Sequence, residues 1–238
     1  CIIPKARGAV RSRPISDIVD EVRFHALNGQ KEVVLVGINI TCYGRETGLR
    51  MADAIEAACA VEGIERVRIG SLEPELITDD DVKRMAAQPK FCPHFHMSVQ
   101  SGCDRTLARM RRHYTVSEYQ ALAANLRKYF PDCAITTDIM VGFAGETDEE
   151  FEESLAFAEG FGYAKIHVFP YSIREGTRAA EFPNQVPQKI KAERAAKMAE
   201  TAKKAERIFL EKQVGTRQSV LIEKQTNPLF VNGFTPNY

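Results

Sequence analysis

The chain has 238 residues, 44% of them hydrophobic, enough to bury a core for one large or two smaller domains. Its 32 basic residues balance 32 acidic ones, so global charge argues neither for nor against nucleic acid and only local clusters bear on that question. No apolar run reaches the ~18 residues of a bilayer-spanning helix, and six scattered cysteines, none in a CxxC pair, fit a reducing cytosol and a cytoplasmic protein better than a disulfide framework.

The text opens on Cys1-Ile2-Ile3-Pro4 and a basic run in which Lys5, Arg7, Arg11 and Arg13 stand without a single acidic residue. No Met and no signal-peptide pattern precede the first helix, so position 1 reads as a cut inside a longer chain. Ile15, Ile18, Val19, Val22 and Ala26 then recur at helical spacing and stop at Asn28-Gly29. Five short, β-branched runs predict strands at 32–36, 66–70, 94–99, 134–141 and 165–169. After the fourth, Thr147 with Glu150 three residues on forms a capping box ahead of Phe151, Leu155 and Ala158. Strands alternating with helices mean parallel strands covered by helices, hence an α/β barrel or a doubly wound sheet. The order breaks at Pro183 to Pro187, where Pro187 suits the first turn of a long helix over about 188–212. Beyond Gly215, the runs 217–223 and 229–234 around Asn227-Pro228 predict two further strands, too few to close a sheet alone.

In a parallel α/β fold the carboxyl ends of the strands are where ligands gather, because loops leave the sheet there and helix N-termini offer free N–H groups. The strand ends here are Gly37-Ile38-Asn39, Gln100-Ser101-Gly102, Gly142-Phe143-Ala144-Gly145 and Pro170-Tyr171-Ser172. Glycine lets a ligand approach the backbone, and Asn39, Gln100, Ser101 and Asp138 carry groups that bind hydroxyls or amines. Taken singly each is an ordinary turn or cap; four at one rim favour a ligand. The Gly142 loop is neither a Walker loop nor a GxGxxG fingerprint. His94 and His96 share one strand face but lack a third ligand, which leaves them structural or substrate-contacting rather than metal-binding.

At these places the chain resembles the radical S-adenosylmethionine methylthiotransferases. The likeness is carried by Cys1 with Ile2-Ile3-Pro4, by Val99 to Asp104, Met110 to Thr115, Thr137 to Phe143, and Phe169 to Thr177, and it spans nearly the whole chain. Cys92 to His96 and Pro183 to Pro187 look most like the MtaB-type branch, which acts on threonylcarbamoyl-adenosine beside the tRNA anticodon. Small departures are Ala144 and Ile173 where the family usually has Pro, and Lys5 where it commonly has an aromatic; these touch local loop shape.

The resemblance implies a partial TIM-type barrel of parallel strands over 1–186, a connecting helix over 187–212 and an incomplete, TRAM-like RNA-binding β-barrel over 213–238. It implies a 4Fe-4S cluster with Cys1 as the last of three thiolate ligands, the two others lying upstream. Three thiolates leave one iron open for the amino and carboxylate groups of S-adenosylmethionine, and soft sulfur suits such a cluster. The cofactor site is expected to be lined by Gly37, Asn39, Gln100, Ser101, Asp138 and Gly142. A second cluster in a separate N-terminal domain would supply sulfur, and an electron-donor protein would reduce the first. The tRNA anticodon loop is the expected partner, drawn by Lys5, Arg7, Arg11 and Arg13, although from composition alone that run is equally a solvated basic loop. The remaining cysteines match no ligand position and read as buried small apolar residues. Alternatives are a sister enzyme acting on isopentenyl-adenosine in tRNA or on a ribosomal-protein aspartate, and, in another class, a non-catalytic RNA-binding scaffold.

Overall fold

The computed structural model describes residues 6–227 and 229–238. Cys1 and Lys5, and with them the expected cluster ligand and one expected RNA contact, lie outside the described residues. The chain divides into two compact units.

The first unit comprises Arg11–His96, Ala123–Ala134 and Gly215–Tyr238. Helix α1 (Ile15–Leu27) ends where the sequence places its stop. Strand β1 (Glu32–Leu35) pairs in parallel with β2 (Arg66–Ile69), Val33 beside Val67 and Leu35 beside Ile69. Helices α2 (Met51–Cys59) and α3 (Asp79–Ala86) cover them, and Thr78 caps α3 by accepting from the Asp81 amide at 3.2 Å. The third strand, β3 (His94–His96), follows a segment that runs beside β2, where Cys92 N donates to Val67 O at 2.9 Å. Ile55, Ile64, Val67, Leu72, Met85 and Phe95 are fully buried between these layers, and Phe91, Phe95 and Phe130 meet with centroids 5.2–5.9 Å apart. Each such side chain contributes roughly 1.5–3 kcal/mol when removed from water.

Strands β6 (Leu221–Asn227) and β7 (Phe230–Phe234) form an antiparallel hairpin in the same unit. The first begins four residues later than its sequence expectation and ends later too. Asn227 explains the end, because its Oδ1 accepts from the amides of Leu229 and Phe230 at 2.8 and 3.0 Å and so fixes the turn there. Ser219 explains the start, because its carbonyl and hydroxyl both accept from Arg66 Nη2 at 3.0 Å. Arg68 holds the other end through the carbonyls of Thr235 and Pro236, at 3.3 and 3.1 Å. The ring of Tyr238 is sandwiched between His94 and Phe234, 4.8 and 4.7 Å away, with the Arg68 guanidinium 5.2 Å from its centroid.

The second unit comprises Met97–Leu122 and Ile135–Val214, with 6–10. Its axis is β4 (Ala134–Val141), which pairs in parallel with β5 (Lys165–Pro170) from Thr136 beside Lys165 to Val141 beside Pro170. The expected strand 94–99 keeps regular pairing only to His96, since Val99 N donates to the Thr137 hydroxyl at 3.0 Å rather than to a carbonyl. Helices α4 (Asp104–Arg109), α6 (Asp148–Phe161) and α7 (Gln188–Gln213) belong to this unit, as does the first half of α5 (Val116–Tyr129). The expected capping box is present, Thr147 Oγ1 accepting from Glu150 N and Glu150 Oε2 from Thr147 N, both at 3.2 Å. Tyr119 and Tyr163 are fully buried against the rings of Phe157 and Phe161, and Tyr119 donates its hydroxyl proton to Met97 O at 2.7 Å. Helix α7 packs on β5 and α6.

Candidate cofactor-binding face

Alternation along β4 sorts its side chains. Ile135, Thr137, Ile139 and Val141 are buried, whereas Asp138 and Met140 on the opposite face are half-buried. In-register neighbours of parallel strands point the same way, so His167 stands beside Asp138 and Phe169 beside Met140, both exposed. Ser98 joins this face by donating its hydroxyl proton to Asp138 Oδ2 at 3.0 Å.

Gln100 pairs in parallel with Ile139 at the end of the row. Its amide donates to Asp138 O and its carbonyl accepts from Met140 N, both at 2.9 Å, while its backbone adopts φ +67°. A left-handed conformation in a non-glycine residue costs on the order of 1 kcal/mol and recurs at sites where a side chain must be aimed. The next residues return the chain to the core. Gly102 lies where a Cβ would stand 2.6 Å from Phe157 Cβ, and its amide donates to Ser154 Oγ at 2.9 Å.

Of the expected lining, Gln100 and Asp138 meet directly. Ser101 is fully buried, and its hydroxyl accepts from Cys103 N at 3.2 Å, which makes it part of the turn. Gly142 ends β4 at φ +70° with its amide donating to Glu146 Oε2 at 2.6 Å. Burial pushes the Glu146 carboxyl up, against the Gly142 amide and Arg194, which pull it down. Gly37 and Asn39 follow β1 in the first unit; Gly37 is exposed, and Asn39 Oδ1 accepts from the Thr41 hydroxyl at 2.5 Å. Arg7, Arg11 and Arg13 are exposed, and Arg13 pairs with Glu21. The sequence reading missed His167, Met140, Phe169 and Ser98. The two-residue period of β4 and β5 held the signal, but their register was needed to use it.

Among the described residues no three His, Cys, Asp or Glu side chains are placed to hold a metal ion. All five described cysteines are buried, and burial pushes the Cys59, Cys92 and Cys133 thiols up to about 11, so none of these three offers a thiolate. The face of Ser98, Asp138 and His167, bordered by Met140 and Phe169, offers polar and aromatic groups of the kind a nucleoside needs.

The Radical SAM superfamily model matches residues 1–158. The chain belongs to that superfamily. Its members use a 4Fe-4S cluster and S-adenosylmethionine. Among curated proteins the chain is 42% identical over 214 residues to the tRNA-2-methylthio-N(6)-dimethylallyladenosine synthase of Caldicellulosiruptor saccharolyticus, covering 89% of this chain and 45% of that one. It is 36% identical over 239 residues to the threonylcarbamoyladenosine tRNA methylthiotransferase MtaB of Thermotoga maritima, covering 100% and 55%. The chain thus spans about half the length of the curated relatives it matches. Methylornithine synthase aligns with a TM-score of 0.57 at 15% identity, over 85% of this chain and 58% of that one. Escherichia coli coproporphyrinogen III oxidase aligns at 0.55 and 14%, over 85% and 46%. Those two likenesses establish the α/β fold of radical SAM type.

Proposed function

We propose that the chain is part of a tRNA methylthiotransferase. The observation that carries the proposal is the identity of 36–42% across 89–100% of the chain to enzymes named for that reaction. The substrate reading is threonylcarbamoyl-adenosine next to the anticodon, in keeping with the MtaB-like stretches Cys92 to His96 and Pro183 to Pro187. The 42% relative, a dimethylallyladenosine synthase, supports the second reading, in which the nucleoside is isopentenylated adenosine.

In this reading Cys1 is one of three thiolate ligands of a 4Fe-4S cluster. When bound, the cluster supplies the electron that cleaves S-adenosylmethionine. The chain's own residues bind and orient. Asp138, held by the Ser98 hydroxyl, accepts hydrogen bonds from ribose hydroxyls or an amine, Gln100 presents its amide from a strained backbone, and Met140 and Phe169 give an apolar border that excludes water. Gly37, Asn39, Ser101 and Gly142 support the strand ends. Lys5, Arg7, Arg11 and Arg13 offer charge to the tRNA backbone. The β6–β7 hairpin corresponds to the start of a TRAM-like RNA-binding domain over 213–238, after a core over 1–186 and a helix over 187–212. An electron-donor protein and a cytoplasmic setting complete the proposal; no helix among the described residues is long and apolar enough to cross a membrane.

The test is reconstitution of the full-length protein with iron and sulfide, followed by assays for reductive cleavage of S-adenosylmethionine and for a methylthio mass gain on tRNA. Parallel substrates carrying threonylcarbamoyl- or dimethylallyl-adenosine separate the two readings. Replacing Cys1 by Ala should abolish cleavage, and cleavage that survives would remove Cys1 from the cluster.

A further inference from the structure

Helix α7 puts two buried cations against the strand ends of the second unit. Arg194 donates through Nη1 to Glu146 Oε2 at 2.7 Å and to Glu146 O at 3.1 Å, and through Nη2 to Asp148 Oδ1 at 2.7 Å. The same Glu146 Oε2 takes the Gly142 amide at 2.6 Å. Arg194 and Glu146 are each 5% exposed, and Arg194 Nε is buried without an acceptor. Three residues earlier on the same helix face, Lys191 donates to Tyr171 O at 2.9 Å, and a Cβ on Gly142 would stand 2.5 Å from Lys191 Cγ. One helix therefore touches both the loop after β4 and the residue after β5.

Burying a guanidinium and a carboxylate together is a poor way to glue a helix, because well-packed apolar residues of similar size hold such a contact equally well or better. What the ion pair provides is direction. Glu146 would carry a buried, uncompensated charge without Arg194, and the Gly142 amide would lose a fixed acceptor without Glu146.

We propose that Arg194 is a positioning residue for the cofactor: acting through Glu146, it fixes the Gly142 turn and so sets the end of β4 on which S-adenosylmethionine binds. The proposal rests on the cofactor reading given above. Helix α7, which the sequence reads as a connector, then belongs to the cofactor-binding structure.

The experiment measures S-adenosylmethionine affinity by equilibrium dialysis on the unreduced, cluster-reconstituted full-length protein, alongside urea unfolding. Arg194→Leu should weaken affinity about tenfold, the scale on which outer-shell partners act. The double variant Glu146→Gln with Arg194→Leu should recover to within about threefold of the parent, since the Gln carbonyl still accepts from Gly142 N and no charge is left buried. Arg84→Leu, which frees Asp53 and Glu56 in the first unit, serves as a control that lowers stability without changing affinity. If Arg194→Leu does not fold, Glu146→Leu alone should show the tenfold loss, because it removes the oxygen that accepts from both Arg194 Nη1 and Gly142 N. Unchanged affinity in the single variants, or a loss that the double variant does not relieve, overturns the positioning role and leaves the cofactor reading standing. Absence of binding by the unaltered protein overturns both.

Discussion

Lowering the pH from 7 to 5 tests the packing of His94, whose imidazole is 8% exposed and stacked on Tyr238. Burial, followed by the neighbouring charges of Arg68 and His96, lowers its pKa from 6.5 to about 4. A base whose folded-state pKa lies below its unfolded value gives stability that is intact above pH 6.5. That stability declines as the unfolded chain alone takes up the proton, until both states are protonated below about pH 4. At about 1.4 kcal/mol per pH unit, the loss between pH 7 and pH 5 is roughly 2 kcal/mol. Glu146 acts in the opposite direction, because an acid raised by burial binds its proton more readily in the folded state. The histidine contribution is therefore read as a difference between the parent and His94→Phe, which keeps a flat ring on Tyr238 and removes the titration. Urea unfolding at pH 7 and pH 5 should show the parent losing roughly 2 kcal/mol more than the variant. Equal losses would refute the claim that His94 is folded in its neutral form.

Gly44→Ala should destabilise the first unit by about 2 kcal/mol or more in urea unfolding, because Gly44 has φ +79° and its added Cβ would overlap the backbone carbonyl of Leu49. Tyr238→Ala should raise amide hydrogen exchange through 221–234 by at least tenfold while leaving β4 and β5 protected, since the ring ties β7 to His94 and Arg68. Arg109→Ala leaves Glu150, 3% exposed and held below the usual carboxylate range chiefly by Arg109, as a buried charge that keeps only the weaker reach of the exposed Arg105 and the hydrogen bonds of Thr106 and Thr147; a cost of about 3 kcal/mol is expected. At pH 8, iodoacetamide should modify Cys59, Cys92 and Cys133 at least about 100-fold more slowly in the native protein than in urea, by mass spectrometry.

What could be read in advance was local. The five strands, the stop of α1 at Asn28-Gly29, the Thr147 capping box and the long helix after Pro187 each rest on neighbouring residues, and each is present with boundaries shifted by a few positions. Helices α2 to α4 are short, and five of the eight residues of α3 are acidic or basic, which leaves Val82 and Met85 as its apolar stripe and no clear helical period in the sequence. The candidate face was legible in part. Gln100 and Asp138 could be named from strand ends, but their direct contact depends on which residue of β4 lies opposite the chain at Gln100. His167 becomes a candidate only through the register that places it beside Asp138. The burial of Ser101 follows from Gly102 docking under Phe157, a contact across 55 positions that no local pattern announces.

The polar groups near the ends of β4 fall into two sets, and the division decides where a ligand can be held. Ser101 Oγ, the Gly142 amide, the Glu146 carboxylate and the Arg194 Nη groups are consumed by one another or by the backbone, and all four residues are buried or lie at a closed turn. They set geometry. Asp138 and His167 stand instead on a partly open strand face, with Phe169 49% exposed at its edge. This is the face to which the cofactor reading assigns the ligand. A fold that merely displayed a sheet would have no reason to hold Gln100 at φ +67° when a glycine would relieve the strain. Gln100→Gly should accordingly stabilise the second unit, or leave it unchanged in urea unfolding, while weakening S-adenosylmethionine binding. A variant that bound the cofactor as well as the parent would show that the side chain is not what the strain is for.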